Sequence, residues 1–314
     1  MLRWLMLWSM GAFLAGAEEA RVPNPLLPRG ADPSVVFHRG EFLLIQSVDA
    51  RDLVLRRATN LAGIATAPKQ TVAPPLCCNV WAPELVRLRG RWWIYYAKDD
   101  GTNAHHRMFA LESAGDDPAG PYVDRGKVAT TADDLWAIDG AAFESGGKLW
   151  FVWSGWPVDH DGQQNLYLAP MSDPATISGP RVLLSQPDRP WERRGLPLQE
   201  GPQPLVRDGR LFIVYSASGS WTDDYCLGLL TFTGGDLLDA KNWVKSPQPV
   251  FSKANGTFGP GHNSMVQDAT GVWWNVYHAI DETGGGWKQR SLRAQPFTWG
   301  VDGVPLFGQP RSRD

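Results

Sequence analysis

After the first twenty residues, no apolar run is long enough to cross a bilayer. No segment keeps a sustained helical period, which points away from helical architectures. A basic stripe is also missing. With 30 Lys and Arg against 33 Asp and Glu, the net charge is −3, and a nucleic-acid partner is not expected. Cysteine is scarce, with only Cys77, Cys78 and Cys226, and the three lack the spacing of a zinc site. Adjacent Cys77 and Cys78 are not expected to bond to each other, because the geometry is strained. In an oxidising compartment Cys226 pairs with one of them, or all three are partly buried free thiols.

What is present fits a different architecture. The 314 residues are 43% hydrophobic, enough for a large core. The 33 Gly and 25 Pro suit many short strands joined by tight turns. Tryptophan is unusually frequent at 16 copies, which serves a core and also the stacking of apolar sugar faces. The chain opens MLRWLMLWSMGAFLAGAEEA. Arg3, the apolar residues 4–14 and Ala15-Gly16-Ala17 read as a signal peptide over residues 1–17. The mature chain, 18–314, is then a secreted domain, periplasmic or extracellular, without a membrane anchor. The competing reading is an uncleaved anchor.

One hairpin pattern occurs five times, in units that open near Asp32, Ala82, Asp139, Glu200 and Gly261. Each has a short alternating strand, a turn and a more aromatic second strand. The turns are Arg39-Gly40, Arg89-Gly90, Gly146-Gly147, Asp208-Gly209 and Ala269-Thr270-Gly271. With Asp32, Glu84, Asp139, Glu200 and His262 as marks, the spacings are 52, 55, 61 and 62 residues. Residues 53–58, 107–112, 165–169 and 226–232 supply third strands. The fold class is all-β, a five-bladed β-propeller with a central active-site funnel; a large β-sandwich is the alternative. In a propeller the innermost strands start near the axis. Asp32, Asp139 and Glu200 would therefore converge in one funnel. Crowded carboxyls push one another's pKa values apart, which suits glycoside hydrolysis; the competing roles are strand capping and cation binding.

These stretches carry a resemblance. Ala31-Asp32-Pro33-Ser34-Val35, Asn79-Val80-Trp81-Ala82-Pro83-Glu84, Ile138-Asp139-Gly140, Glu200-Gly201-Pro202-Gln203, Gly261-His262-Asn263 and Arg293-Ala294-Gln295, in that order, resemble glycoside hydrolase family 43. The resemblance implies an inverting mechanism. Asp32 would be the general base, Glu200 the general acid, and Asp139 the group that raises the acid's pKa and holds it. Base and acid are then expected roughly 6.5–9.5 Å apart. It also implies that Arg293 binds sugar hydroxyls beside the acid. His262 would lie near the axis, where a structural calcium or sodium ion reached through waters is expected; no cofactor is required for the reaction. Trp81 either walls the sugar subsite or is core. Glu84 is expected to pair with a cation or the backbone. From loop position, Trp136, Trp156, Gln164, Ser218 and Trp221 are pocket candidates, and His105-His106 could face the same funnel.

Residues 130–139, 155–165 and 196–200 look most like the exo-acting α-L-arabinofuranosidases of that family. The expected substrate is arabinan or an arabino-oligosaccharide, and a monomer is expected. The alternatives are a β-xylosidase or endo-arabinanase of the same family, or a non-catalytic sugar-binding propeller. The repeat starts differ, as Asp, Glu, Asp, Glu and His, which favours one asymmetric site over five equal ones.

Overall fold

The computed structural model describes residues 21–130 and 132–314, so the expected signal peptide lies outside the described residues. Five antiparallel sheets stand in a ring as propeller blades. Blade 1 contains β1 (Ser34–His38), β2 (Glu41–Val48), β3 (Asp52–Ala58) and β4 (Gln70–Thr71). Blade 2 contains β5 (Trp81–Leu88), β6 (Arg91–Lys98), β7 (Arg107–Ser113) and β8 (Tyr122–Val128). In blade 3, β9 (Ala137–Ser145), β10 (Lys148–Gly155) and β11 (Asn165–Asp173) are followed by β12 (Thr176–Ile177) and β13 (Val182–Ser185), both paired with β11. Blade 4 is β14 (Gln199–Arg207), β15 (Arg210–Ala217), β16 (Cys226–Phe232) and β17 (Trp243–Lys245). Blade 5 is β18 (Phe258–Gln267), β19 (Trp273–Ile280), β20 (Ser291–Trp299) and β21 (Pro305–Leu306).

Local chemistry explains the hairpins. Arg39-Gly40, Arg89-Gly90, Gly146-Gly147 and Asp208-Gly209 all have positive φ at both residues. That is the two-residue turn whose twist matches the flanking strands. In the fifth hairpin the Asp268 carboxylate instead accepts from the backbone N–H groups of Thr270 and Val272.

The second strand of each blade is buried on both faces because adjacent blades sandwich it. In β6, Trp92, Ile94 and Tyr96 join the core between blades 1 and 2, while Trp93, Tyr95 and Ala97 join the core between blades 2 and 3. The period-two alternation of a strand thus feeds two different cores. Three further clusters fill the remaining gaps between blades. The ring is fastened where residues 21–30 meet blade 5: Leu27 exchanges backbone hydrogen bonds with Leu292 at 3.2 and 3.0 Å.

One buried charge stands out in blade 4. Glu192 is fully buried and accepts from Gln199 Nε2 (2.6 Å), the Tyr215 hydroxyl (2.8 Å), Arg189 N (2.8 Å) and Lys245 Nζ (3.1 Å). Removing one partner of such a network leaves the others desolvated. Glu192→Ala is expected to destabilise the fold by about 3 kcal/mol, read as a lowered denaturant midpoint.

Cys77 and Cys78 are bonded to each other across a cis peptide, and Cys226 is a buried free thiol. The Cys77–Cys78 bond corrects the expectation that neighbours would not pair, and the free Cys226 rules out the alternative that it pairs with one of them. Cys226 sits inside blade 4 with its thiol against the Ala217 carbonyl, remote in the ring from the 72–80 loop that joins blades 1 and 2.

Candidate functional site

The entry to each inner strand departs from regular β geometry at one residue. Asp32 (φ 49°), Ala82 (41°), Asp139 (56°), Gly201 (54°) and His262 (45°) are all left-handed. Register shifts accompany them in blades 2, 3, 4 and 5. Such bulges re-aim side chains. They also correct the repeat frame: Asp32, Asp139 and His262 hold the equivalent position, whereas Glu200 stands one residue before it and Glu84 two after.

A cavity of about 320 Å³ opens at this end of the ring, and Asp32, Asp139, Glu200 and His262 line it. Asp32 Oδ1 lies 3.3 Å from His262 Nδ1, 3.2 Å from His278 Nδ1 and 3.3 Å from Arg290 Nη1. His262 Nδ1 is also 3.9 Å from Asp139 Oδ2. One oxygen each of Asp139 and Glu200 and one ring nitrogen of His262 lie within 4.8 Å of one another. The backbone N–H of Gly201 donates to Asp139 Oδ2 at 3.0 Å, which ties Asp139 to the residue beside Glu200. The Tyr225 hydroxyl donates to Glu200 Oε1 at 2.7 Å.

The carboxyls are held in different states. Burial pushes Asp32 up, but His262, Arg290 and His278 outweigh it and hold its pKa well below the usual carboxylate range. Burial presses His278 down to about 4 and lowers His262 as well. Both imidazoles are neutral at neutral pH, so Arg290 is the lasting positive charge beside Asp32. Glu200 is different: burial raises it, the Tyr225 hydrogen bond opposes, Asp32 adds repulsion, and the result is about 7. Burial, with Glu200 and Asp32 nearby, raises Asp139 well above its ordinary value. The cavity therefore sets an ionised Asp32 against a Glu200 raised to about 7 and a raised Asp139, the separation of carboxyl states that acid–base chemistry needs.

Aromatic rings and apolar side chains form the walls. Trp136 and Trp156 stack at 4.8 Å, 9° from parallel. Trp81 stacks on the His106 ring at 3.8 Å. Trp81, Trp136, Trp156, Gln164, Leu196 and Leu198 all face the cavity. His106 lies behind Trp81, with Nε2 2.9 Å from the Asn79 carbonyl, and His105 pairs with Asp100 on the surface. Neither histidine lines the cavity.

Three expected contacts are corrected. Arg293 does not line the cavity; its fully buried guanidinium pairs with Asp281 and donates to Thr257 Oγ1. Arg290, three residues earlier in the loop, faces Asp32 instead. Ser218 is fully buried, accepting from Arg194 N and donating to the Trp191 carbonyl. Glu84 pairs with neither a cation nor the backbone: Gln203 Nε2 donates to it at 2.5 Å, and burial raises its pKa to about 8. It lines the axial channel beyond the carboxyls rather than the cavity.

Sequence reasoning missed Tyr225, His278 and Arg290. A signal existed for His278. In an antiparallel hairpin the end of the second strand lies beside the start of the first, and His278 pairs with Gly261.

Residues 22–305 match the profile of the family described as Glycosyl hydrolases family 43. The chain is 37% identical over 306 residues to the extracellular exo-α-(1→5)-L-arabinofuranosidase of Streptomyces avermitilis. That match covers 91% of this chain but 63% of the relative, so the chain spans under two thirds of its length. An enzyme of the same name from Streptomyces chartreusis is 36% identical, with 86% of this chain and 85% of the relative covered. The crystal structure of an α-L-arabinofuranosidase from Lactobacillus brevis superposes with a TM-score of 0.87 at 34% identity, covering 93% of this chain and 98% of that one.

Proposed function

The chain belongs to glycosyl hydrolase family 43, and on that premise we propose that it is a secreted, inverting glycosidase that releases L-arabinofuranose from the ends of arabinan or arabino-oligosaccharides. The observation that carries this reading is the convergence of Asp32, Asp139 and Glu200 in one cavity, with the pKa of Asp32 held low and that of Glu200 raised by burial to about 7. The sugar specificity follows the names of the two Streptomyces relatives and the Lactobacillus brevis structure. Their description as extracellular supports secretion.

In this mechanism Asp32 takes a proton from water as its oxygen attacks the anomeric carbon. Glu200 gives its proton to the departing glycosidic oxygen as the bond breaks. Asp32 ends protonated and Glu200 ionised, and exchange with solvent resets both. Burial and repulsion from Asp32 keep the Glu200 pKa raised, and Asp139 anchors the adjoining backbone by accepting from the Gly201 N–H. Arg290 beside it helps to keep Asp32 ionised, and His278 Nδ1 accepts from the Asp32 backbone N–H and holds the residue in place.

A cation on the axis fits one atom better than the others. His262 Nε2 is buried without a hydrogen-bond partner. A hydrated calcium or sodium ion beside it would fix the ring so that Nδ1 faces Asp32. Direct binding to Asp139 and Glu200 does not fit, since it would hold both carboxyls ionised and remove the acid.

Hydrolysis of 4-nitrophenyl α-L-arabinofuranoside, 4-nitrophenyl β-xyloside and linear arabino-oligosaccharides by the secreted chain tests the reading. Arabinose released one unit at a time, with the β-anomer formed first by NMR, is the expected result. Xyloside preference would overturn the substrate, and sugar binding without turnover would overturn the enzyme. A pH profile is expected alongside. The acid must be protonated, so kcat/KM should fall as pH rises through about 7, the Glu200 value. The base must be ionised, so the acid-side decline should lie below the ordinary carboxylate range. A profile that rises through pH 7 would contradict the assignment.

A further inference from the structure

Two tryptophans break the pattern of burial. Among the described residues, the large apolar side chains left exposed include only two aromatic ones, Trp221 (40%) and Trp287 (56%). Both lie at the mouth of the cavity. Leaving indole in water is unfavourable without a use for the ring.

Their setting is rigid. Trp221 and Trp287 meet edge to face at 5.6 Å and 80°. Trp287 Nε1 donates to Ser220 Oγ at 3.0 Å. The loops that carry them, 218–224 from blade 4 and 281–290 from blade 5, are tied at Asp223, which accepts from Gly284 N at 2.9 Å and from the Thr283 hydroxyl. The Trp221 ring lies flat against Gly219, where a Cβ would come within 2.8 Å of it. The pair is thus held in place before any ligand arrives.

Their position gives a direction. Trp221 follows Ser220 in the loop joining β15 to β16, in the same blade as Glu200. Trp287 is three residues from Arg290. The proton donor must face the leaving oxygen, so the leaving portion of the substrate passes the blade 4 side of the cavity.

We propose that Trp221 and Trp287 form a stacking site for the first sugar ring on the leaving side of the scissile bond. The ligand class is a pentose or short pentose oligosaccharide, with an apolar ring face on one indole and the edge of the other closing the corner. The inference rests on the hydrolase reading above and assigns the leaving-group half of the site.

The test compares two substrates of unlike leaving groups: α-1,5-linked arabinotriose, whose leaving group reaches the pair, and methyl α-L-arabinofuranoside, whose leaving methanol does not. In Trp287→Ala the ratio of kcat/KM for the trisaccharide to that for the methyl glycoside should fall by about 3- to 10-fold, mainly through KM. Trp287→Phe keeps an aromatic face and should restore most of the ratio. Equal losses on both substrates, or no recovery with phenylalanine, would overturn the stacking site. A wild-type protein that cleaves neither substrate would instead overturn the hydrolase reading, and the inference with it. An active wild type whose ratio is unmoved by Trp287→Ala overturns the inference alone.

Discussion

Asp32→Asn is expected to lower kcat by roughly three orders of magnitude, and by the same factor on every substrate. The amide matches the carboxylate in size but cannot take a proton from water. It also removes the charge that Arg290 faces at 3.3 Å and that both histidines contact, so the electrostatics of the neighbouring groups change with it. Substrate-independence is the diagnostic feature. Activation of water is needed whatever leaves, so a better leaving group gives no relief. Steady-state kinetics on an arabino-oligosaccharide and on an aryl arabinofuranoside would check it, and retained turnover on either would remove Asp32 as the base. Glu200 should gain acidity in this variant, since one source of its raised pKa is the repulsion from Asp32.

Glu200→Gln should behave in the opposite way with respect to the leaving group. On oligosaccharides, whose alkoxide leaves poorly without a proton, kcat should fall roughly 10²- to 10³-fold. On an aryl glycoside with an acidic phenol the loss should be at least about tenfold smaller, because that group departs without help. The alkaline decline of the pH profile should also disappear, since the titrating acid is gone. Equal losses on both substrates with an unchanged profile would count against Glu200 as the acid. Together the two variants separate base from acid by dependence on the leaving group alone.

The hairpins were readable because their turns leave a chemical mark. Gly, Asp and Arg at positions such as Arg39-Gly40 and Asp208-Gly209 coincide with the positive φ values that these turns require. Converging carboxyls were readable for a related reason, since a repeated strand start is visible in one dimension. The frame itself was misjudged by a residue or two at Glu84 and Glu200. A left-handed bulge, not the charged side chain, marks the equivalent position; Gly201 hints at it, since glycine favours positive φ, but Ala82 carries no sign of it in its chemistry. Arg293 was mistaken for Arg290 because both fall in one segment, and only the path of the 281–290 loop shows which guanidinium meets Asp32. Tyr225 and His278 were invisible to a pattern built on first strands, because they come from a loop end and a second strand.

The left-handed strand entries set thermal robustness against turnover at the same residues. An L-amino acid with a side chain costs roughly 1–3 kcal/mol in that conformation, and glycine relieves most of it. Blade 4 already has glycine there, at Gly201, where a Cβ would press on the His262 ring at 3.2 Å. Blades 1, 3 and 5 hold Asp32, Asp139 and His262 in the same strained state. A selection for heat resistance alone would therefore be drawn to glycine at these three positions and would return proteins that outlast the parent and do nothing. Any laboratory evolution of this scaffold has to score catalysis in every round, because residues of the cavity stand among its left-handed backbone positions.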